Sequence, residues 1–517
     1  MPYNFQCVIL LTNKLNLSSF GHQYSTFHFS FVVQEVIKFL LKWFNHSCFF
    51  RLIFLALLFI SLLLTSYHSQ ALTSNTSNVI HGNAPYLTFD DGHTRVTDTY
   101  SLLWITLSDG TKFTPSMNDS SSSPIELPNS GESFADIGML VPTDSNSIAL
   151  NSLISAPNHY WGDDDGDGQG SDGIIVTGNL NLTITDKDNQ PVSRTAVLDI
   201  CKAPYKITLT SSDGTLSTGY GVPKSSYFNA SNVTYHVNPK LIPKVCFAKP
   251  SIEHSSNDET IIVAGNLLTP DFRGPSTIWA DKKGFITQST NLSSYGLNFP
   301  TTGANNLYFD LIIVGSGPLN WAPVTRSGIT ATMMPDSTGT KVKVTLTGPF
   351  AEPRQWYSNN PSNIKTISRP ILPQTFELVG RDSSGNDIVK YGFKLKQWFV
   401  SRGDGMATPR DHELWCENIG YRMPGVKDLT NAKRDEIAGA TPWSTGSNYQ
   451  RQIGAGLFTE WGSMSNYNDA EFKYVYFYWV KEVHPDNNNQ FDVDQKTGFI
   501  GWYPKNTQRS SAVCVTP

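Results

Sequence analysis

The densest chemistry in the chain is Asp163-Asp164-Asp165-Gly166-Asp167-Gly168, where carboxylates crowd a glycine-rich turn. Carboxylates this close repel one another unless a hard cation neutralises them. Asp163, Asp165 and Asp167 at alternate positions, with Gly168 for a sharp bend, match the first half of a calcium-binding loop. The second half departs from it. Ile174 stands where such a loop needs a bidentate Glu, which leaves Ser171 and Asp172 to supply oxygens. Calcium and a solvated acidic turn both stand as readings of this segment.

Arg402-Gly403-Asp404 sets a cation and a carboxylate on either side of a glycine. Displayed on a loop, it would offer both charges to an integrin-type receptor. As three common residues it reads better as a plain glycine turn at a domain seam.

Five tryptophans, Trp415, Trp443, Trp461, Trp479 and Trp502, fall in the last stretch of the chain. Large rings of this kind dominate recognition surfaces when exposed and hold small cores together when buried. Trp415, Trp461 and Trp479 are expected in the core. Trp443, in a Pro/Ser/Thr/Gly loop, Trp502 and Tyr467 are the candidate contacts with a partner.

Catalytic patterns are missing from the sequence. It holds no Gly-x-Ser-x-Gly, no His-Glu-x-x-His and no phosphate loop, and Gly315-Ser316-Gly317 is too short for a nucleotide fingerprint. His412-Glu413 lacks a second His at helical spacing, and both His412 and His484 read as surface residues. An acid pair for sugar hydrolysis depends on a carboxylate separation that sequence does not carry. The expectation is a protein that binds and is not an enzyme.

Cys201, Cys246, Cys416 and Cys514 are widely spaced, with no Cys-x-x-Cys, which favours two disulfides over a metal cluster. Pairing each within one expected domain gives Cys201–Cys246 and Cys416–Cys514, with four free buried thiols as the alternative. Cys7 and Cys48 lie in or before an export leader. That leader is read from the apolar run Leu52–Leu64, the basic residues Lys38, Lys42 and Arg51 before it, and Ser69-Gln70-Ala71 after it. An uncleaved anchor is the competing reading, and the first forty-odd residues read either as a misassigned start or as an extended signal. No second run of spanning length follows, so no membrane span is expected in the mature chain.

These residues need elements to hold them. The 517-residue chain has 16% charged residues, 39 Gly, 30 Pro and a net charge of −5, which suits loop-rich β domains and gives no electrostatic footprint for nucleic acid. Leu180, Leu182 and Ile184 alternate with polar residues and run into Asp186–Pro191; Val342, Val344 and Leu346 repeat the pattern, as do Tyr391, Phe393 and Leu395. Period two closed by Asp, Asn, Gly or Pro predicts strands and turns, and many short ones predict β-sandwiches. After Pro409 the pattern predicts helices at 410–419 and 424–432 and then aromatic strands, a small α+β module closed by Cys416 and Cys514.

The helix with Cys416, the Arg422-Met423-Pro424 turn, Glu460-Trp461-Gly462, Tyr478-Trp479 and terminal Cys514 resemble a C-type-lectin-like domain. Ile184-Thr185-Asp186-Lys187-Asp188-Asn189-Gln190-Pro191-Val192 is similar to the Ig-like domains of intimin/invasin-class bacterial adhesins. The resemblance covers roughly residue 83 onward. It implies a mainly β fold, with tandem Ig-like β-sandwiches followed by a small α+β C-type-lectin-like domain. Its expected divisions are a leader at 1–71, β-rich domains at 72–200 and 201–300, an Ig-like sandwich at 301–405 and the lectin-like domain at 406–517. It also implies a secreted or surface-displayed bacterial adhesin that binds a host-cell protein or glycan. Two departures matter: no segment reads as the membrane barrel of that class, and the calcium motifs of sugar-binding C-type lectins are missing. The other functional classes in view are an extracellular polysaccharide-acting hydrolase and a structural envelope protein.

Overall fold

A computed structural model describes Leu57 and residues 81–517, except 89–92, 97–98, 155–158, 165–172, 220, 264–265, 358–364, 435–436, 473–476 and 508–509. The leader reading, Asp165 and Asp167 therefore lie outside the described residues, apart from Leu57.

The first module is built on β1 (Asn179–Thr185), β2 (Tyr205–Ser211) and β3 (Ser231–Asn238). Leu180, Leu182 and Ile184 of β1 are buried while Asn179, Asn181 and Thr183 face out, the period-two pattern that commits a strand to one wet face. These strands sit at the middle of a five-stranded sheet, with Ser147–Ala149 beside β1 and Ile125–Glu126 beside β3. Its side chains share one core that runs from Leu87 to Val237. The expected division at 200/201 falls between β1 and β2, which pair directly (Leu182 opposite Leu209), so the sheet runs across it.

The chain then passes through β4 (Lys244–Lys249), the hairpin β5 (Ile261–Val263) and β6 (Asn266–Leu268), β7 (Thr302–Ala304), β8 (Tyr308–Val314), β9 (Ile329–Pro335), β10 (Lys341–Thr347), β11 (Gln374–Arg381), β12 (Asp387–Leu395) and β13 (Gln397–Ser401). β4, β8, β10 and β9 are consecutive in a seven-stranded sheet. β11 and β12 pack across it, with the Phe309 ring 6.0 Å from Phe393 and 6.3 Å from Tyr391. The expected division at 300/301 also falls inside this body, since β4 and β8 are neighbours.

The last part comprises α1 (Pro409–Ile419), α2 (Val426–Leu429), β14 (Lys433–Arg434), α3 (Leu457–Trp461), β15 (Phe477–Val483), β16 (Gln490–Asp494), β17 (Ile500–Tyr503) and β18 (Val513–Val515). Thr408 caps α1 by accepting from the Asp411 N–H, Pro409 opens it, and Gly420 at φ 92° ends it. β18 pairs with β13 (Phe399 opposite Val515), and β13 pairs with β7. One sheet thus crosses the expected division at 405/406, and a single core extends from Val245 to Val515. Trp415, Trp461 and Trp479 are fully buried, as their expected core role requires.

Disulfides join Cys201 to Cys246 and Cys416 to Cys514. The second lies within the α+β part. The first is a correction to the sequence reading: it links the first module to β4 of the next and does not close a loop within one domain. The fold is mainly β, and its longest described helix, α1, lies in the last part. No helix among the described residues is long and apolar enough to cross a membrane.

Candidate functional site

A cleft of about 970 Å³ opens between the β5–β6 hairpin and the β16–β17 edge of the α+β part. Its walls are Ile261 and Ile262 on one side and Phe477, Phe499, Trp502 and Tyr503 on the other. Arg434 of β14 lies over both aromatic neighbours, its guanidinium carbon 3.8 Å from the Trp502 ring centre and 4.7 Å from that of Phe499. One arm of that guanidinium donates to the Ile500 carbonyl at 2.6 Å. The His484 ring lies 4.8 Å from Trp502 and 5.4 Å from Phe491. Trp502 thus carries a cation over its ring and has an imidazole tilted against it, an aromatic anchor with a charge built into it.

The opposite wall is apolar and exposed. Ile262 (75% exposed), Leu267 (73%) and Leu268 (44%) stand outside the core although each is large and aliphatic. Ile262 and Leu267 stand opposite each other in the hairpin and so share one face, an exposed aliphatic pair of the kind that soluble proteins keep small. His254 borders the cleft, and burial lowers its pKa although Glu253 and Glu259 beside it pull the other way. The Asp494 carboxyl, pushed up by burial, accepts from the N–H groups of Lys496 (2.6 Å) and Thr497 (3.2 Å) and closes the β16–β17 turn.

Beside the cleft, Lys433 lies 5.3 Å over the ring of Trp443, whose indole N–H donates to the Gly439 carbonyl at 3.2 Å. Trp443 is 53% exposed. Successive residues of β14 therefore each stack a cation on a tryptophan, with Trp502 inside the cleft and Trp443 outside it.

No family model matches the chain, and no curated protein matches it. Among solved structures it matches invasin, described as a bacterial integrin-binding protein, at 14% identity over 67% of this chain and 52% of that one, with a TM-score of 0.30. It also matches a C-terminal 282-residue fragment of intimin, solved with the intimin-binding domain of the translocated intimin receptor, at 13% identity over 68% of this chain and 90% of that one (TM-score 0.28). A third match is intimin-190 from enteropathogenic E. coli, at 16% identity over 42% of this chain and 90% of that one (TM-score 0.24). The chain is similar to the invasin and intimin class. It spans about half the length of the invasin chain.

Of the residues singled out from sequence, Trp502 lines the cleft and Trp443 lies beside it. Tyr467 is corrected: it is 2% exposed, its hydroxyl donates to the Trp461 carbonyl (2.9 Å) and accepts from the Ser251 N–H (2.8 Å), and it serves the core. Its ring is consumed by packing on Trp461 and Tyr308. Asp163 is buried, and its neighbour Asp164 accepts from the Tyr86 hydroxyl (2.9 Å), the Asn83 amide (3.3 Å) and Arg95. No cluster of three or more His, Cys, Asp or Glu among the described residues is arranged to hold a metal ion.

His412 and His484 are also corrected, since both are buried. His412 meets Arg402 through Nδ1 (2.9 Å) and the Ser510 carbonyl through Nε2 (2.9 Å). Arg402 also donates to the Trp356 carbonyl at 3.0 Å and is 7% exposed. The Arg-Gly-Asp tripeptide thus spends its cation inside the protein, and only Asp404 reaches the surface. Arg434 and the exposed hairpin carry no sequence signal: two adjacent basic residues and a short aliphatic strand look like any solvated face.

Proposed function

We propose that the protein is a secreted or surface-displayed adhesin-type protein whose C-terminal half recognises a ligand on a host or neighbouring cell through the cleft between the β5–β6 hairpin and β17. The observation that carries this reading is the Arg434–Trp502 stack lining one cleft with the exposed Ile262. A rigid aromatic anchor, a fixed charge and uncovered aliphatic side chains are the components of a binding hot spot. The first module serves as a spacer, tied to the binding half by Cys201–Cys246.

The test uses the whole exported chain. A cut at Asp404 would separate β13 from β18 and divide the shared core. Saturable binding to host cells or to a glycan array, with and without calcium, is compared between the native chain and Trp502→Ala. Binding that falls about tenfold or more in the variant, with folding retained, supports the reading. Binding that is absent, or indifferent to Trp502, sinks it. Calcium dependence would bring the Asp163–Asp167 turn into the mechanism.

A further inference from the structure

The cleft is bordered by strand edges as well as by side chains. β17 is the outer strand of its sheet, in the order β15-β16-β17. The Phe499 carbonyl accepts from the Asp494 N–H at 2.8 Å, so Phe499 points its main chain at β16. Antiparallel strands alternate, so Gly501 also points inward while Ile500 and Trp502 turn their N–H and C=O outward. The bond from Arg434 to the Ile500 carbonyl confirms that direction and caps one end of the edge.

The facing hairpin repeats the arrangement. Among the described residues β5 and β6 pair only with each other, in the register Val263–Asn266, Ile262–Leu267, Ile261–Leu268. With two residues in the loop, Val263–Asn266 is the hydrogen-bonded pair next to it, which turns the main chain of Ile262 outward. Thr260, Ile261 and Ile262 form the cleft wall on this side. A two-stranded ribbon is marginal by itself, and an uncovered edge is a template for another strand.

Resting on the reading of this cleft as the recognition site, we infer that its occupant is an extended segment of a partner protein, added as a strand along the outward edge of β17 or β5. Main-chain bonds to Trp502 and Ile262 hold the segment, and its alternate side chains pack on the cleft walls beside Ile262 and Tyr503. The guanidinium of Arg434 at the Ile500 end selects an acidic side chain there, which fixes the direction of the strand. A sugar is disfavoured because Arg434 already covers the ring face that a pyranose would stack on.

The experiment uses the whole chain and a synthetic probe, an acetylated and amidated peptide of alternating Thr and Val ending in Glu. Two further copies are N-methylated at alternate residues, one copy in each register, so that main-chain donors are lost while side chains stay. The expected result is saturable binding of the unmodified peptide, protection from hydrogen exchange confined to 260–263 and 500–503, and about a tenfold or greater loss of affinity in one N-methylated copy. Replacing the terminal Glu by Lys should weaken binding, and Arg434→Ala should remove that difference. Equal binding of all copies, protection elsewhere, or no binding at about 1 mM peptide overturns strand addition. Cell binding that still depends on Trp502 in that case leaves the recognition site standing, so the two readings fail separately.

Discussion

The Glu460 carboxylate, wholly buried, is held by Thr302, which donates its main-chain N–H at 2.9 Å and its hydroxyl at 2.6 Å to the same oxygen. Thr301 adds its N–H (3.1 Å) and hydroxyl (2.8 Å), and Gly454 its N–H (2.8 Å). Glu460 lies on α3, whereas Thr301 and Thr302 lead into β7 of the preceding sandwich. The fully buried Arg451 fastens the same seam, donating to the carbonyls of Ser251 (2.8 Å), Glu253 (2.9 Å) and Glu460 (3.2 Å). Gly462, at φ 78°, lies where a Cβ would collide with that guanidinium. This clasp joins the cleft's two walls, since the hairpin belongs to the sandwich side and β17 to the other.

Glu460→Ala leaves the threonine and glycine donors buried without an acceptor, and each such group costs roughly 1–3 kcal/mol. The expected loss of stability is about 3 kcal/mol or more, read from urea unfolding. Burial raises the Glu460 pKa despite its donors. Its contribution to stability is therefore greatest below the unfolded carboxyl pKa and falls as pH rises through the folded one. The stability of the native chain relative to Glu460→Gln should thus increase as pH is lowered from 7. A difference that stays flat with pH would show that the carboxylate is not strained by burial.

Acid should act on the His412 contact in the opposite direction. Burial, with the Arg402 charge beside it, holds the His412 pKa down at about 3, and burial brings Arg402 down to about 10. The unfolded imidazole takes a proton near pH 6.5 and the folded one does not. Stability conferred by the neutral ring is complete above that value and is lost as pH falls towards about 3, by roughly 1.4 kcal/mol per pH unit. His412→Gln should flatten the acid limb of the stability profile. Arg402→Ala should destabilise by about 2 kcal/mol or more while cell binding by the folded fraction is unchanged; weaker binding by a folded variant would revive the exposed-tripeptide reading.

The sequence patterns carried local information well and partnership across the fold badly. Alternation at Leu180, Leu182 and Ile184 located a strand, and the change of pattern after Pro409 located a helix at 410–419, where α1 runs Pro409–Ile419. The expected cysteine pairs are those that form, although the argument from domain boundaries failed for Cys201, which bonds across a seam. Strands pair across 200/201, 300/301 and 405/406, because in sequence a turn within a sheet looks the same as one between domains. Tyr467 was misjudged for a related reason. A tyrosine in a polar loop has the same local neighbours whether its ring faces water or, as here, Trp461 and Tyr308 from other segments.

The two disulfides should separate stability from geometry. Cys416–Cys514 spans 98 residues, and on the chain-entropy relation its closure contributes roughly 4–5 kcal/mol. Cys416→Ala with Cys514→Ala should lower the melting temperature of the cleft-bearing half. Removing Cys201–Cys246 should leave that half's transition near its native position and loosen the first module, detectable as a broader distance distribution between spin labels on the two. An unchanged distribution would mean that the ion pairs Lys244–Asp199 and Lys283–Asp188 hold the seam by themselves.

The three aromatic candidates should separate cleanly by substitution. Tyr467→Phe removes a hydroxyl bonded to Trp461 and Ser251, so it should cost roughly 1 kcal/mol of stability and leave binding alone. Trp443 is exposed and stands outside the cleft, so Trp443→Ala should change stability by less than about 0.5 kcal/mol and binding only modestly. Trp502 underlies Arg434 and His484, so Trp502→Ala removes both the platform and the cation's fixed position. Its binding loss should be about 2 kcal/mol or more. Arg434→Lys is the informative companion. It keeps the charge but loses the planar stack, so a loss approaching that of Trp502→Ala would show that ring and guanidinium act as one surface, whereas native-like binding would leave charge alone as what the partner reads.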